Sequence, residues 1–181
     1  MIGSAKTRIF VTGCAFTLSI AIGAPFFQPH EVYASERVLV DAYQTEDKAL
    51  VKLLAKTIWG EARNQGDIGM EAVCHVILNR VGQRETWSTV EQVVLSPKQF
   101  SVWNEYDVNY GKLREDISHK KEFKKALQIA QKCLYDDGED ITNGSNHYHA
   151  KRVQPAWASK MDKIITIGDH IFYKEREKKN T

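Results

Sequence analysis

Hydrophobic positions recur with helical spacing in the stretch that follows residue 45. Val51, Leu54 and Ile58 follow one another in steps of three and four, so they share one face of a helix. Glu61 is the next position on that face. Thr45, a capping residue followed by two acids, predicts where this helix begins.

Two more long helices are predicted further along the chain. The run 72–78 is apolar on nearly all sides, which is typical of a helix buried in the middle of a domain, and its helix should span 67–81. An apolar stripe from Phe123 to Leu134 predicts another helix, with Ser118 as its cap. A shorter helix capped by Ser88 should end near Val94.

The pattern changes after residue 140, where polar and apolar residues alternate. Residues 146–151 alternate polar and aromatic side chains, and 163–173 predicts a β-hairpin that turns at Gly168-Asp169. Residues 174–181 form a charged tail. The predicted fold class is therefore α+β, mostly helical with a small antiparallel sheet late in the chain.

The first 34 residues carry the signals of export. Lys6 and Arg8 precede an apolar run over 9–27, and Ala34 offers a small residue before a cleavage site. We therefore expect residues 1–34 to be a signal peptide. One alternative remains open, because the run is long enough for a retained membrane anchor. Cys14 lies in a loose lipidation motif, but almost no apolar core precedes it, which argues against lipidation.

Composition limits the classes of function for the rest of the chain. The net charge of +2 is too small for a nucleic-acid binder, and 43% hydrophobic residues are typical of a globular domain. We expect an extended segment over 35–44, one domain over 45–173, and no stable membrane insertion after cleavage. Cys74 and Cys133 would remain, either as buried thiols or, in an oxidising compartment, as a disulfide.

Glu61 is the strongest candidate for chemistry, because its helix would bury a carboxylate near its end. Burial without a cation raises the pKa of a carboxyl group. An acid that stays protonated near neutral pH can donate its proton to a glycosidic oxygen. The alternative is a structural ion pair between Glu61 and either Arg63 or Arg80.

Several motifs resemble those of the SleB/CwlJ cell-wall hydrolase family over about Leu50 to Tyr173. In chain order they are Trp59-Gly60-Glu61-Ala62-Arg63, Gly69 to Val73, Val76 to Val81, Gln99-Phe100-Ser101, His147-Tyr148-His149-Ala150, Pro155 to Ala158 and Ile167 to Tyr173. One difference follows the acid, where Asn64-Gln65 stands in place of the Gly-Glu of many members.

The resemblance implies a lysozyme-like fold and a substrate, the glycan strand of peptidoglycan. It also implies that Glu61 is the catalytic acid of a lytic transglycosylase, which needs one carboxyl group, no metal and no cofactor. The protein would act as a monomer in the periplasm or the cell wall. The candidate substrate-binding residues are Gln99, Phe100, Ser101, His147, Tyr148 and His149.

Three other functions stay open from the sequence. A hydrolytic muramidase would need a second carboxylate, for which Asp67 and Glu71 are the nearest candidates. A zinc amidase or peptidase could use His147 and His149, which share a face of a strand, with His170, His75 or Asp169 completing the set. A wall-binding module without activity is the third, although it would not need Glu61.

Overall fold

The computed structural model describes residues 29–136 and 138–176, with side chains from Gln44 onward. Its residues from Leu39 onward form one compact unit, separate from the residues before it. Most of the predicted signal peptide, residues 1–28, lies outside the described residues, as does the end of the charged tail. None of the helices in the described ranges combines the length and the hydropathy of a membrane span.

Helix α1 runs over Pro29–Ala62. The predicted extended segment at 35–44 is therefore wrong, and so is the helix start at Thr45. Between Pro29 and Gly60 the chain contains no proline or glycine, so nothing in the backbone interrupts the helix. Pro29 suits a first helical position, because its φ is already helical and it has no N–H to leave unpaired.

Four further α-helices follow in the described part of the chain; three have ends slightly different from the predictions, and the short α4 was not predicted. They are α2 (Gly66–Arg80), α3 (Val90–Leu95), α4 (Tyr110–Arg114) and α5 (Lys121–Tyr135). Thr89 rather than Ser88 caps α3, in a reciprocal capping box with Gln92. The residue before α5 is Lys120, which makes no side-chain cap, so the predicted Ser118 cap is wrong.

The late β-sheet confirms the predicted hairpin and adds one strand. Strands β1 (His147–Ala150), β2 (Asp162–Ile167) and β3 (His170–Lys174) form an antiparallel sheet in the order β1-β3-β2. Gly168 has a φ of 54°, which suits a tight hairpin turn between β2 and β3. The α+β, mostly helical class is confirmed.

Helix α2 is the centre of the packing, as predicted. Val73 and Ile77 on α2 are fully buried against Leu54 and Ile58 of α1 and against the apolar face of α5. On another side of α2, Val76 packs with Phe172 of the sheet. The central helix therefore fixes the end of α1 relative to the sheet.

Cys74 and Cys133 are free thiols in the structure. Cys74 lies fully buried on α2 and Cys133 is partly buried on α5. Burial is the main cause that raises the pKa of the Cys74 thiol, and the neighbouring Cys133 raises it further. Both thiols pack with the main hydrophobic core. This arrangement agrees with the interpretation that they act as small apolar side chains.

Candidate active site

Glu61 lies in the last turn of α1, against which a segment from much further along the chain packs closely. A 3-10 turn, Ser101–Trp103, packs against Gly60, and a Cβ atom at Gly60 would collide with Cγ2 of Val102. Only glycine permits this approach. It brings the backbone of the turn within hydrogen-bond distance of the Glu61 carboxyl group.

Protein groups from two separate elements donate hydrogen bonds to the Glu61 carboxyl oxygens. The Val102 N–H donates to Oε1 at 3.2 Å, and the Tyr148 hydroxyl donates to Oε2 at 3.0 Å. These donors come from the 3-10 turn and from β1. The carboxyl group is therefore held in one orientation by two separate elements.

Burial raises the pKa of Glu61 above its ordinary value of 4.5. The hydrogen bonds from Val102 and Tyr148 act in the opposite direction because they favour the charged form. The nearby negative charge of Asp107 raises the pKa further. The balance favours a carboxyl group that keeps its proton to higher pH than an exposed glutamate does.

The predicted structural alternative, an ion pair from Glu61 to an arginine, is not formed within residues 44–136 and 138–176. Arg63 donates instead to Gly60 O at 3.1 Å and to Asn109 Oδ1 at 2.7 Å. Arg80 donates to Asn146 O at 2.7 Å. Each guanidinium is thus satisfied by other acceptors.

Glu61 opens onto a cavity of about 290 Å³ between the end of α1 and the sheet. Polar and charged side chains dominate its wall. The other lining residues are Asn64, Gln65, Ala150, Lys151, Arg152, Asp169 and His170. A larger groove of about 620 Å³, lined by residues of α1 and α5, does not include Glu61.

None of the three residues of the predicted middle motif lines this cavity. Phe100 is 2% exposed in the core, so the expectation that its ring binds sugar is corrected. Gln99 Oε1 accepts a hydrogen bond from Arg80 at 3.3 Å. Ser101 is exposed, and its hydroxyl donates to Asp107 Oδ2 at 2.7 Å.

The three predicted residues of β1 have different surroundings. Tyr148 lies on β1, with its ring 5.1 Å from that of His170 and its hydroxyl on Glu61. The rings of His147 and His149 both contact Trp157, which confirms that they share one face of the strand. That face is packed against aromatic side chains and does not line the cavity.

His149 already uses both ring nitrogens within the protein. Its Nδ1 lies 2.9 Å from Ala150 O and must donate there, and its Nε2 lies 3.0 Å from the Tyr173 hydroxyl. Among the described residues, no group of three or more His, Cys, Asp or Glu side chains has the geometry to hold a metal ion.

Sequence reasoning missed several charged groups near Glu61. Asp107 lies in a loop 46 positions along the chain, and no local pattern marks it. Lys151 and Arg152 directly follow the motif strand β1, which was the one available signal. The carboxylates predicted as possible partners lie elsewhere: Asp67 pairs with Lys125 at 3.7 Å and Glu71 with Lys132 at 2.9 Å.

A protein-family model described as Cell Wall Hydrolase matches residues 64–173 of this chain. The matched range includes α2, the sheet and the cavity residues from Asn64 onward. It begins three positions after Glu61. The acid therefore lies just before the matched segment, at the end of α1.

Curated relatives include spore cortex-lytic enzymes from two organisms. The protein from Bacillus cereus is 27% identical over 127 residues, which cover 68% of this chain and 44% of the relative. The protein from Halalkalibacterium halodurans is 24% identical over 152 residues, which cover 82% of this chain and 41% of the relative. This chain thus spans less than half the length of those relatives.

Two solved structures share the fold. The catalytic domain of the Bacillus cereus SleB protein is 28% identical with a TM-score of 0.52, and the match covers 68% of this chain and 88% of that domain. The catalytic domain of the germination-specific lytic transglycosylase SleB from Bacillus anthracis is 29% identical with a TM-score of 0.53, covering 68% and 93%.

Proposed function

The chain belongs to the cell wall hydrolase family, and from this premise we propose that it cleaves the glycan strands of peptidoglycan with Glu61 as its acid. The bond is the one between N-acetylmuramic acid and N-acetylglucosamine. One observation carries the proposal: a half-buried carboxyl group without an ion-pair partner among the described residues forms part of a cavity wall. We propose an exported protein that works in the periplasm or at the wall.

Protonated Glu61 would donate its proton to the bridging glycosidic oxygen. The sugar then passes through an oxocarbenium-like state, and Glu61 becomes a carboxylate. The Val102 N–H and the Tyr148 hydroxyl stabilise this charge, because they donate to both carboxyl oxygens. Their geometry is present before the substrate arrives, so no reorganisation is needed at the moment of proton transfer.

We propose that the second step is intramolecular, as in a lytic transglycosylase. The Glu61 carboxylate takes the proton of the C6 hydroxyl of the muramic residue, and that oxygen closes an anhydro ring at C1. The proton lost by Glu61 in the first step is thereby recovered, and no water is consumed. One carboxyl group performs both proton transfers. The name of the Bacillus anthracis structural relative supports this version.

A hydrolytic muramidase is the second candidate, and two carboxylates near Glu61 favour it. The charge of Asp107 acts on Glu61, and Asp169 lines the same cavity. Either could help to position a water molecule, as the second carboxylate of an inverting glycosidase does. The products separate the two versions, because hydrolysis leaves a reducing muramic end and transglycosylation leaves an anhydro end.

The effects of EDTA and of Glu61→Gln on activity distinguish a glycosidase from a zinc enzyme. Glu61→Gln should reduce clearance of purified sacculi by about 10²- to 10⁴-fold, because amide cannot donate the acid proton. EDTA should leave the wild-type rate unchanged. Glu71→Gln, which removes a carboxylate paired with Lys132, is the matched control. Loss of activity with EDTA and retention in Glu61→Gln would instead indicate the zinc enzyme.

A further inference from the structure

Two cationic side chains lie on the wall of the Glu61 cavity and have no part in the proton transfers. Lys151 and Arg152 directly follow β1, and both line the same cavity as the acid. Both side chains are exposed to solvent. The wall beside the acid thus carries two positive charges, partly offset by Asp169.

The backbone under these cations is fixed by hydrogen bonds. The Lys151 N–H donates to Asp169 O at 2.7 Å, and the Val153 N–H closes the turn on Ala150 O at 2.9 Å. The Asp169 N–H donates in turn to Gln65 Oε1 at 2.8 Å. The turn is therefore tied through the hairpin to the segment that directly follows Glu61.

Neither cation forms an ion pair with another of the described residues. Within residues 44–136 and 138–176, no carboxylate lies within ion-pair distance of Lys151 or Arg152. Burial lowers the pKa of His170, another residue of the cavity wall; the charge of Asp169 raises this pKa and the charge of Arg152 lowers it. Both charges act on the cavity wall, where the two cations, Lys151 and Arg152, favour an anionic ligand and Asp169 opposes it.

We propose that Lys151 and Arg152 form a carboxylate-binding subsite that receives the acidic group carried on the lactyl side chain of muramic acid. This rests on the proposed function. Along a glycan strand only the muramic residue carries this side chain, and N-acetylglucosamine is neutral. The subsite would therefore set which sugar lies beside Glu61, and hence which of the two alternating glycosidic bonds is cleaved.

The carboxylate has two possible sources with the same chemistry. Where the stem peptide is attached, its free carboxylates are the ligand. Where the peptide is missing, the lactyl group itself ends in a carboxylate. Guanidinium and ammonium groups bind either one.

The test measures binding of soluble glycan-strand fragments to the full chain carrying Glu61→Gln, so that the fragments are not consumed. Adding Lys151→Gln and Arg152→Gln to this chain should weaken binding about tenfold. The difference between the two proteins should shrink at high salt, because salt screens the attraction between the cations and the carboxylate. The control adds Lys160→Gln and Lys163→Gln, which remove two exposed cations outside the cavity. In the chain that keeps Glu61, the cavity substitutions should raise KM and leave kcat within about twofold.

Three forms of the fragments identify the source. Fragments with every carboxylate amidated should bind weakly to the chain that retains Lys151 and Arg152. Their affinity should match that of intact fragments for the chain carrying Lys151→Gln and Arg152→Gln. Fragments stripped of peptide end in the lactyl carboxylate; if they bind as well as intact ones, the subsite accepts either carboxylate, and if they bind weakly, it requires a carboxylate of the stem peptide. Equal binding of the cavity and control substitutions, with no effect of amidation, would overturn the subsite. Failure of the wild-type chain to cut any strand would overturn the proposed function separately.

Discussion

The Glu61 side chain owes its chemistry to what surrounds it. An exposed glutamate is ionised at neutral pH, and a buried one paired with arginine is held ionised. Here Arg63 and Arg80 are both occupied by other acceptors, while burial raises the pKa of Glu61. The Val102 N–H and the Tyr148 O–H, which donate to the two carboxyl oxygens, stabilise the carboxylate once the proton has left.

Tyr148→Phe should move the alkaline limb of the pH–rate profile to higher pH. The tyrosine hydroxyl stabilises the charged carboxylate, so its loss raises the pKa of Glu61 further. We expect kcat to fall about three- to tenfold, because one hydrogen bond to the developing charge is lost. Tyr173→Phe, which removes a hydroxyl bonded to His149, is the control. An alkaline limb that stays in place would contradict this role of Tyr148.

Glu61→Gln should also change how stability depends on pH. The folded-state pKa of Glu61 lies above its ordinary value of 4.5, so the folded chain holds this proton more tightly than the unfolded chain. Its contribution to the free energy of unfolding is full below that ordinary value and is lost as pH rises through the folded-state pKa. Urea unfolding across this range should show the wild-type chain losing stability relative to Glu61→Gln. A difference that grows in favour of the wild type would show that the pKa is lowered.

The acid could be predicted from sequence, but most of its surroundings could not. Helical spacing places the Glu61 carboxylate on an apolar face, and the structure confirms that this side chain is partly buried. Asp107 was missed because it reaches Glu61 only through a loop far along the chain. Phe100 was misassigned, since spacing alone does not separate an aromatic that binds sugar from one that packs in the core.

The contact between the end of α1 and the turn Ser101–Trp103 positions the acid. Gly60 has no side chain, so Val102 can occupy the space where a Cβ would lie. This close packing aligns the Val102 N–H with Glu61. A change at Gly60 should therefore disturb catalysis without touching the carboxyl group itself.

Gly60→Ala should reduce activity at least tenfold and stability by about 1–3 kcal/mol, because the added methyl group displaces Val102. Val102→Ala in the same chain should restore part of both, since the colliding methyl is removed and the two Cβ atoms would be 3.0 Å apart. Gly111→Ala, in α4 with open space around it, is the control and should stabilise slightly.

Activity and thermal unfolding should be measured on all four proteins. Full activity in Gly60→Ala would show that the close approach of the turn does not orient Glu61. Failure of Val102→Ala to restore any function would show that the methyl group acts elsewhere.

Helix interiors and the hairpin followed from the sequence, whereas helix ends did not. The apolar runs predicted α2 and α5, because the buried faces of helices require apolar residues at helical spacing. The start of α1 was misplaced because Thr45 looks like a cap, yet nothing before it stops the helix until Pro29. A cap signal inside a continuous helix carries no boundary information by itself.

Across the molecule, one central helix connects the acid to the wall opposite it. Helix α2 packs on α1 on one side and on the sheet on another. The position of Lys151 and Arg152 relative to Glu61 therefore depends on long-range packing. No local sequence pattern encodes that distance, which is why the cationic side of the cavity appeared only in the structure.

The most direct measurement is the mass of the muropeptides released from purified sacculi by the wild-type chain and by Glu61→Gln. The wild type should release fragments whose muramic ends lack one water, and Glu61→Gln should release almost none. Reducing muramic ends would contradict the transglycosylase step while keeping the acid. Free stem peptides, or full activity in Glu61→Gln, would contradict the central role of Glu61 in glycan cleavage.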